Sequence, residues 1–458
     1  MSTTLRSSDA SWPRTDADQW PQDGSRYWAP EETMDPRARS EIVLSRLRSQ
    51  IEYAWRHSDF YRRHWQAAGI DPSALRELSD LARFPVVTKK HLRADQEAFP
   101  PFGSNVCCSQ AEIGRIHGSS GTTGRPTIFV FSRDDWGRIG RAHARIMWGF
   151  GVRPGDAVFV GSLFSLYMGS WGALAGAEAL HCRSFPFGAG VAGQTERAIE
   201  FLQLVRPKVF YGTPSYALHL ATVAGRLSID PKALGFRIMF FSGEPGAGIP
   251  ATKRRIESTF GAICVDTGTM AEMTPWMTSA ECDERTGMHL WEDIVYTEIV
   301  DPETHQPVAD GVEGVPVYTH LERTSQPMIR LFSGDLTHAT SDPCPCGRTY
   351  RRLPSGIYGR VDDMLTIRGV NVYPHSIEDA VASVPGVGGE YRIVVERPDD
   401  LDVLRLEIEA ADAALGEEVS KRVKRAAGIT PIVTVHPPNT LETTELKARR
   451  VVDRRRAG

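Results

Sequence analysis

One short stretch carries more information on the architecture than any other part of the chain: His117-Gly-Ser-Ser-Gly-Thr-Thr-Gly-Arg-Pro-Thr127. Its three glycines let backbone N–H groups turn inward around an anion, and its five hydroxyl residues add further donors. The Walker motif does not fit, because five residues separate Gly118 from Gly124 where that motif has four, and Arg125 follows in place of lysine. Strand-like residues flank the stretch, which therefore predicts a phosphate-binding loop between two strands.

The region beyond this loop alternates short β-rich runs with helical patterns. The β-rich runs are 157–160, 208–211, 237–241 and 263–266, and helical patterns such as 195–205 and 249–260 lie between them. This alternation predicts parallel strands joined by crossover helices. Before the loop, the apolar spacing over 38–68 predicts two helices broken near Ser58. The first 36 or so residues are polar and rich in proline, which predicts an arm on the surface.

The pattern changes after about residue 290. Hairpin-like strands are predicted at 294–300, 314–320 and 328–331, and the last hundred residues begin a pattern of their own, with strands at 391–396, 403–410 and 432–436 and a helix at 415–427. The chain of 458 residues is also longer than one compact core usually holds. We expect an α/β fold with a large N-terminal body, 1–358, that contains parallel-rich sheets and a β-hairpin subdomain, and a small mobile α+β C-terminal domain, 359–458.

Composition excludes several classes of protein. Lys and Arg number 53 against 57 Asp and Glu, so no basic surplus favours nucleic acid. Seven cysteines are an odd number without a disulfide framework, which favours a reducing cytoplasm. The N-terminus has no apolar run typical of a secretory signal. Residues 157–177 lack charge, but their four glycines and three serines disfavour a membrane span.

The 117–127 stretch resembles the phosphate-binding motif of the adenylate-forming superfamily of acyl-CoA synthetases, adenylation domains and luciferases. Further matches follow in order: Ser333-Gly-Asp-Leu336, the hinge-like segment 358–369, and Lys447. Segments 176–178, 213–216, 242–245 and 368–374 resemble the phenylacetate-CoA ligase branch. The resemblance implies that ATP activates a carboxylic acid as an acyl-adenylate, with release of pyrophosphate, and that the acyl group then passes to coenzyme A. It also implies an aryl or arylacetic acid as substrate.

Such a reaction brings two anions together, so it needs positive charge and hydrogen-bond donors where charge builds up. By resemblance, Glu272 would hold Mg2+, Lys447 would bridge the substrate carboxylate and the α-phosphate, and Asp335 and Arg360 would hold the ribose. Other residues implied to contact ATP or AMP are Ser119, Ser120, Gly121, Thr122, Thr123, Gly124, Gly243, Glu244, Pro245, Asp266 and Thr267. Those implied at the hinge and the CoA-side loop are Asp362, Arg368 and Gly369. The acyl pocket would be lined by Phe164, Tyr167, Gly169, Tyr211, Gly212, Gly268 and Met273.

The sequence departs from this family at 266–272. Relatives usually show Asp-x-Tyr-Gly-x-Thr/Ser-Glu, whereas this chain has Asp266-Thr-Gly-Thr-Met-Ala-Glu272. Gly268 replaces the aromatic residue and Ala271 replaces the hydroxyl residue. The missing ring predicts either weaker stacking on the base or extra room for the acyl group.

A second group of residues has metal-ligand chemistry: Cys282 and His289 with C-x6-H spacing, and Cys344 and Cys346 with C-x-C spacing. Three thiolates and one imidazole would fill a tetrahedral zinc site, which would then be structural. Because C-x-C is tighter than the usual zinc spacing, the alternative is a set of buried thiols beside an unrelated histidine.

Other interpretations remain beside the ligase. Residues 188–193 satisfy GxGxxG, but no acid lies about 20 residues further on, which disfavours a dinucleotide dehydrogenase. The acyl group could pass to a carrier protein, an amine or a phenol instead of CoA. A non-catalytic nucleotide-binding scaffold would need neither Glu272 nor Lys447. The sequence leaves open a homodimer or a carrier-protein partner.

Overall fold

The computed structural model describes residues 20–21, 24–119, 126–166, 168–188, 193–244, 246–268, 270–273, 278–368, 370–398, 401–438, 440–441 and 450–455. The helices are α1 Pro36–His57, α2 Asp59–Ala67, α3 Lys89–Ala98, α4 Arg133–Gly149, α5 Gly169–Ala179, α6 Gln194–Val205, α7 Pro214–Arg226, α8 Pro250–Phe260, α9 Pro374–Ala382 and α10 Leu415–Ala427. Across this part of the chain, no helix is both long and apolar enough to cross a bilayer.

The strands of the body begin with β1 Ile113–Gly118, β2 Ile128–Ser132, β3 Ala157–Val160, β4 Arg183–Pro186, β5 Val209–Gly212, β6 Ile238–Phe241 and β7 Ile263–Gly268. Short strands follow: β8 Ser279–Ala280, β9 Met288–Leu290, β10 Val295–Val300, β11 Val315–His320, β12 Leu331–Phe332, β13 Asp335–Leu336, β14 Arg352–Leu353 and β15 Gly359–Arg360. The remaining strands are β16 Leu365–Ile367, β17 Val370–Val372, β18 Val387–Glu396, β19 Val403–Ala410, β20 Ile432–His436 and β21 Val451–Asp453.

The central sheet has eight strands in the order β14-β9-β8-β7-β6-β5-β3-β4. Strands β4, β3, β5, β6 and β7 are parallel, and β8, β9 and β14 extend the sheet in antiparallel fashion. Every residue of β3, β5 and β6 is buried, as expected for parallel strands covered on both faces. The predicted α/β class with a parallel-rich sheet is confirmed.

Smaller antiparallel sheets surround the central one. Strands β1 and β2 form the hairpin on which the glycine-rich stretch lies, and β10, β11 and β12 form a three-stranded sheet. The predicted break between the first two helices is also present. Ser58 ends α1, and its hydroxyl accepts a hydrogen bond from the backbone N–H of Tyr61 in α2.

The C-terminal part has a hydrophobic core of its own. Strands β20-β19-β18-β21 form one sheet against α9 and α10, with Ile377, Leu406 and Val419 fully buried between them. This core begins at Leu365. Gly359 and Arg360 instead pair with Leu336 and Asp335 of the body, so the connection between the two parts starts with a strand that belongs to the body.

Two predictions were wrong. The strand expected at 328–331 is confined to Leu331–Phe332, because Arg330 has a φ of 49° that interrupts an extended backbone. The proline-rich arm does not lie wholly on the surface: residues 1–19 lie outside the described residues, but Trp28 and Glu32 are buried. Glu32 forms ion pairs with Arg145 and Arg348, which draw this segment into the body.

Candidate active site and metal centre

The candidate active site lies at the carboxyl ends of β5, β6 and β7, where parallel α/β sheets commonly bind ligands. The Tyr211 hydroxyl at the end of β5 is 2.6 Å from the Ser242 hydroxyl that follows β6. Thr267 near the end of β7 donates its hydroxyl hydrogen to the Phe241 carbonyl at 2.6 Å. These side-chain bonds join the three strand ends into one edge. Gly243 follows with a φ of 92°, a conformation that favours glycine.

Glu244 is held by the start of α7. The backbone N–H of Ser215 donates to its carboxylate at 2.7 Å, and the Ser215 hydroxyl donates to the same oxygen. Thr213 caps the helix through the backbone N–H of Tyr216. A carboxylate at the N-terminus of a helix is favoured by the helix dipole, so Glu244 has a fixed position at the edge of the site.

Glu272 is fully buried, and neither of its carboxylate oxygens has a hydrogen-bond partner within the described ranges. The ammonium group of Lys89 lies 3.3 Å from one of these oxygens. Lys89 is the first residue of α3, which Thr88 caps. An anionic carboxylate buried with unused lone pairs is a suitable ligand for a hard cation such as Mg2+. Lys89 was absent from the predicted site. The sequence signals a helix start there, but not which side chain that helix presents to Glu272.

Asp335 and Arg360 lie together as the resemblance implied. Their side chains form an ion pair at 2.7 Å, and Arg360 also contacts Asp362 at 2.8 Å. Burial raises the pKa of Asp335, while the positive charges of Arg360 and Lys89 oppose that rise. The negative charge of Glu272 raises the same pKa further. The residues predicted to hold the ribose, the metal ion and the hinge therefore lie close enough for their charges to interact, and Lys89 adds a positive charge to this set.

Arg368 has a different set of contacts from Asp362. Its backbone has a φ of 52°, and its guanidinium donates to the Asp402 carbonyl at 2.6 Å. Arg368 and Asp402 both belong to the C-terminal part. Gly369, the next predicted residue of the CoA-side loop, lies outside the described residues.

Asp266, in β7, lies close to a second acidic residue, Glu281. Its backbone N–H donates to Glu281 at 2.8 Å, and Lys253 contacts Glu281 at 2.5 Å. Desolvation and the charge of Glu281 raise the pKa of Asp266 to about 7. Its carboxylate is 2.8 Å from the position that a Cβ would take at Gly248. Asp266 thus packs closely against backbone and titrates near neutral pH.

The base of the glycine-rich loop is closed by Ser119 and Thr127. The backbone N–H of Ser119 donates to the Thr127 carbonyl at 3.0 Å, and the Thr127 N–H donates to the Ser119 hydroxyl at 3.1 Å. Gly118 donates to the Leu166 carbonyl at 3.0 Å, which ties the hairpin to the segment before α5. Several predicted site residues lie outside the described residues: Ser120, Gly121, Thr122, Thr123, Gly124, Tyr167, Pro245 and Lys447.

The predicted acyl-pocket residues do not all share one environment. Phe164 packs edge-on against Trp171 with ring centroids 5.0 Å apart, next to Gly169 at the start of α5. Gly212 ends β5. Met273, in contrast, is fully buried in the hydrophobic core beneath the hairpin.

The space beside Gly268 shows whether the missing aromatic ring leaves extra room for the acyl group. A Cβ there would lie 2.4 Å from the Ser279 hydroxyl and 3.1 Å from the Met288 methyl group. Ser279 and Met288 thus occupy the space that a side chain would need, and the glycine leaves no added room on that side.

The four predicted metal ligands converge although they come from distant parts of the chain. Their ligand atoms all lie within 4.8 Å of one another, and the set is Cys282, His289, Cys344 and Cys346. The sulfurs of Cys282 and Cys344 are 3.7 Å apart. Zinc–sulfur bonds of about 2.3 Å at tetrahedral angles place two sulfurs about 3.8 Å apart. The cluster therefore has the donor set and the spacing of a closed zinc site.

The surroundings of this cluster supply positive charge and hydrogen bonds. The backbone N–H of Arg348 donates to the Cys346 sulfur at 3.4 Å, and Tyr27 and Arg26 donate to the Cys346 carbonyl. His289 Nε2 faces Cys346 at 3.3 Å. Three thiolates around a divalent cation would carry a net negative charge, and the nearby guanidinium groups of Arg348 and Arg26 would interact favourably with it.

The chain matches two families, the AMP-binding enzymes over residues 86–318 and the AMP-binding enzyme C-terminal domain over residues 369–455. It is 34% identical to the phenylacetate-coenzyme A ligase of Thermus thermophilus, covering 93% of this chain and 98% of that protein. It is 33% identical to the phenylacetate-coenzyme A ligase of Escherichia coli, covering 93% and 97%.

Among solved structures, the chain is similar to a 2-hydroxyisobutyryl-CoA ligase. In the postadenylation state with 2-HIB-AMP, that ligase is 51% identical with a TM-score of 0.92, covering 96% of this chain and 95% of that one. In the thioesterification state with 2-HIB-AMP and CoA, the TM-score falls to 0.76 at 51% identity, covering 97% and 96%. The body and the C-terminal part are thus arranged more like the postadenylation state of that ligase.

Proposed function

The chain belongs to the AMP-binding enzyme family and is an AMP-forming acid–CoA ligase, and from that premise we propose that its acid is a short, branched or hydroxylated carboxylic acid. The observation that carries this proposal is the 51% identity to the 2-hydroxyisobutyryl-CoA ligase, against 34% for a phenylacetate-coenzyme A ligase. The filled space beside Gly268 supports it, because a larger ring finds no added room there. The paired hydroxyls of Tyr211 and Ser242 would suit a polar acyl group.

An aryl or arylacetic acid is the second candidate. Four curated relatives at 33–35% identity carry the name phenylacetate-coenzyme A ligase. Phe164 and Trp171 also provide aromatic surface near the start of α5. The two candidates differ in acyl size and polarity, so a panel of acids separates them.

In the proposed first half-reaction, a carboxylate oxygen of the acid attacks the α-phosphorus of ATP, and pyrophosphate leaves with the bridging oxygen. Ser119 and the rest of the glycine-rich stretch would cradle the phosphates, and Asp335 would accept hydrogen bonds from the ribose hydroxyls. Lys89 would meet the outer phosphates, since it already faces Glu272. Mg2+ bound at Glu272 would offset the charge on these phosphates. Lys447 would stabilise the negative charge that develops between the acid and the α-phosphate.

In the proposed second half-reaction, the thiol of coenzyme A attacks the acyl carbon and AMP leaves. We propose that the C-terminal domain turns about Asp362 between the two steps, while Gly359 and Arg360 stay paired with the body. Asp362 suits a pivot because its side chain is 69% exposed and it closely follows β15, a strand that pairs with the body. The fall in TM-score between the two states of the related ligase supports a large change in domain arrangement.

We further propose that Cys282, His289, Cys344 and Cys346 hold a structural zinc ion, since all four positions would be filled by protein ligands. The metal content of the purified protein tests this directly. We expect one zinc per chain, and Cys344→Ser should lower both the zinc content and the melting temperature. A chain that is free of zinc and has an unchanged melting temperature would identify the cluster as a set of buried thiols.

The substrate proposal is tested by pyrophosphate release and by the mass of the product. The protein is incubated with ATP, Mg2+ and coenzyme A, and with 2-hydroxyisobutyrate, 3-hydroxybutyrate, phenylacetate or benzoate. We expect the highest kcat/KM and a CoA thioester with one of the two hydroxy acids. A higher kcat/KM with phenylacetate would establish the second candidate instead. Pyrophosphate release without a CoA thioester would indicate another acceptor, such as a carrier protein.

The catalytic lysine is tested in the same assay. Lys447→Ala should reduce adenylation by orders of magnitude and leave the melting temperature unchanged, because the lysine would act on the reacting groups and not on the core. Unchanged pyrophosphate release would rule out this role for Lys447.

A further inference from the structure

We propose that Arg323 is a positioning residue that fixes Glu272 relative to the hairpin of the glycine-rich loop, an inference that rests on the proposed adenylation chemistry. No motif in the sequence points to this arginine. It lies in the segment after β11, far along the chain from both elements that it joins.

The guanidinium of Arg323 bridges two backbone carbonyls. One amino group donates to the Glu272 carbonyl at 3.0 Å, and the other donates to the Val130 carbonyl in β2 at 3.1 Å. A single rigid, planar cation therefore connects the backbone of the proposed metal ligand to the strand that leaves the glycine-rich loop. The distance between these two backbone atoms is set by the geometry of one side chain.

The residues after Arg323 fasten the same segment to β2. The Val130 carbonyl also accepts from the Ser325 hydroxyl at 3.2 Å, and the Val130 N–H donates to the Gln326 side chain at 2.9 Å. Asp135 accepts from the backbone N–H of Ser325 at 2.7 Å. Both backbone polar groups of Val130 are thus bonded by this segment, which makes it a rigid base for Arg323.

A second side chain holds the carbonyl next to Glu272. His320 accepts from the Met328 N–H through Nδ1 at 3.0 Å, so its proton lies on Nε2, which faces the Met273 carbonyl at 3.4 Å. Burial lowers the pKa of His320 to about 3, which keeps the ring neutral. The carbonyls of Glu272 and Met273 are therefore both fixed from the end of β11.

Arg323 forms no close ion pair with the described residues. The side chain is 6% exposed and its guanidinium lies 4.1 Å above the Phe131 ring, and no carboxylate of the described chain lies within ion-pair distance of it. Burial lowers its pKa to about 10, so the group stays charged at neutral pH. The Glu272 carboxylate faces Lys89 but has no hydrogen bond of its own across the described residues, so the position of its backbone helps to set its direction.

Arg352 offers a matched control. It is also 6% exposed, and it also donates to two backbone carbonyls, those of Thr286 and Asp342. Neither of those residues belongs to the nucleotide site. Replacing either arginine by methionine removes a buried cation and two hydrogen bonds, so the loss of stability should be similar in the two variants.

The experiment compares Arg323→Met, Arg323→Lys and Arg352→Met with the full-length wild-type protein. The affinity of the ATP-bound protein for Mn2+, used as a probe for Mg2+, is measured by electron paramagnetic resonance. We expect Arg323→Met to weaken it about tenfold. Arg323→Lys, whose ammonium group cannot span both carbonyls, should weaken it less, and Arg352→Met should leave it at the wild-type value. This readout needs no acid turnover, so it stays informative even if the substrate proposal fails.

The second measurement compares the two half-reactions. Arg323→Met should raise the Mg2+ concentration needed for half-maximal pyrophosphate release about tenfold, whereas CoA thioester formation from supplied acyl-adenylate should keep the wild-type rate. Equal metal affinity in the Arg323 and Arg352 variants would overturn the proposal. If Arg323→Met does not fold, Arg323→Lys decides: wild-type metal affinity in that variant would equally overturn it.

Discussion

Two glutamates of this chain are both fully buried, yet their surroundings differ completely. Glu32 accepts hydrogen bonds from Arg145 and Arg348 and from the backbone N–H groups of Trp28 and Ala29. The carboxylate of Glu272 faces the Lys89 ammonium group, 3.3 Å away, and neither of its oxygens has a hydrogen bond in the described part of the chain. A buried carboxylate with all its lone pairs used stabilises a fold. One with lone pairs to spare is suited to a ligand that arrives later.

The residues around the two glutamates also differ in how they are bonded. Arg145 also contacts Asp293 at 2.6 Å and donates to the Tyr350 hydroxyl at 2.6 Å, so the network around Glu32 connects the N-terminal segment, α4 and the region of the four candidate metal ligands. The Glu272 carboxylate follows the end of β7, near which ATP is proposed to bind, and it interacts electrostatically with the Asp335 carboxylate. Hydrogen bonds thus surround the Glu32 carboxylate, whereas the Glu272 carboxylate at the proposed site receives none from the described residues.

The largest expected effect comes from Glu272→Gln. This change removes the proposed metal ligand, and pyrophosphate release should fall about 100-fold or more. The melting temperature should stay the same or rise, because the substitution removes a buried charge that has few partners. Wild-type kcat with a raised melting temperature would show that Glu272 is not needed for the reaction.

Glu32→Gln should have the opposite profile. The amide cannot satisfy two arginines, and the variant should lose about 3 kcal/mol of unfolding free energy, measured by denaturant titration. At a temperature where it remains folded, its kcat should be that of the wild-type protein. A strong loss of kcat without a loss of stability would break the division between the two glutamates.

Asp266→Asn gives a smaller effect that depends on pH. The pKa of Asp266 is raised to about 7 in the folded state, so the folded protein binds a proton more tightly than the unfolded chain. This group therefore favours folding at low pH, and its contribution is lost as the pH rises through about 7. The unfolding free energy of Asp266→Asn relative to the wild type should be about 2 to 3 kcal/mol higher at about pH 8 than at about pH 5.

Asp310→Asn is the control for that pH dependence. Hydrogen bonds from Ser341 and Arg351 lower the pKa of Asp310, so this carboxylate is already ionised at about pH 5. Its replacement should change stability by the same amount at both pH values. Equal pH profiles for the two variants would contradict the raised pKa of Asp266.

Much of the fold was predictable because local patterns agree with the tertiary structure. The strand Val403–Ala410 and the helix Leu415–Ala427 have the bounds that the sequence predicts, since each has a regular apolar period and a clear turn at its ends. The family was also predictable from its motifs and is confirmed. The prediction at 328–331 failed because Arg330 leaves the extended region to reach Glu298, a contact that no local pattern encodes.

The candidate site was only partly predictable for the same reason. Asp335 and Arg360 meet as the resemblance implied, and the four metal-ligand residues converge. Lys89 and Arg323 were missed, because their importance lies in which distant residues they contact. The filled space beside Gly268 was equally hidden, since Ser279 reaches it from a neighbouring strand.

The route taken by one oxygen atom tests the central claim most directly. If the acid is activated as an acyl-adenylate, a carboxylate labelled with oxygen-18 donates one labelled oxygen to the phosphate of AMP when coenzyme A displaces it. Mass spectrometry of the AMP formed with labelled 2-hydroxyisobutyrate should show that single added label. Unlabelled AMP, or label in inorganic phosphate together with ADP, would contradict the account.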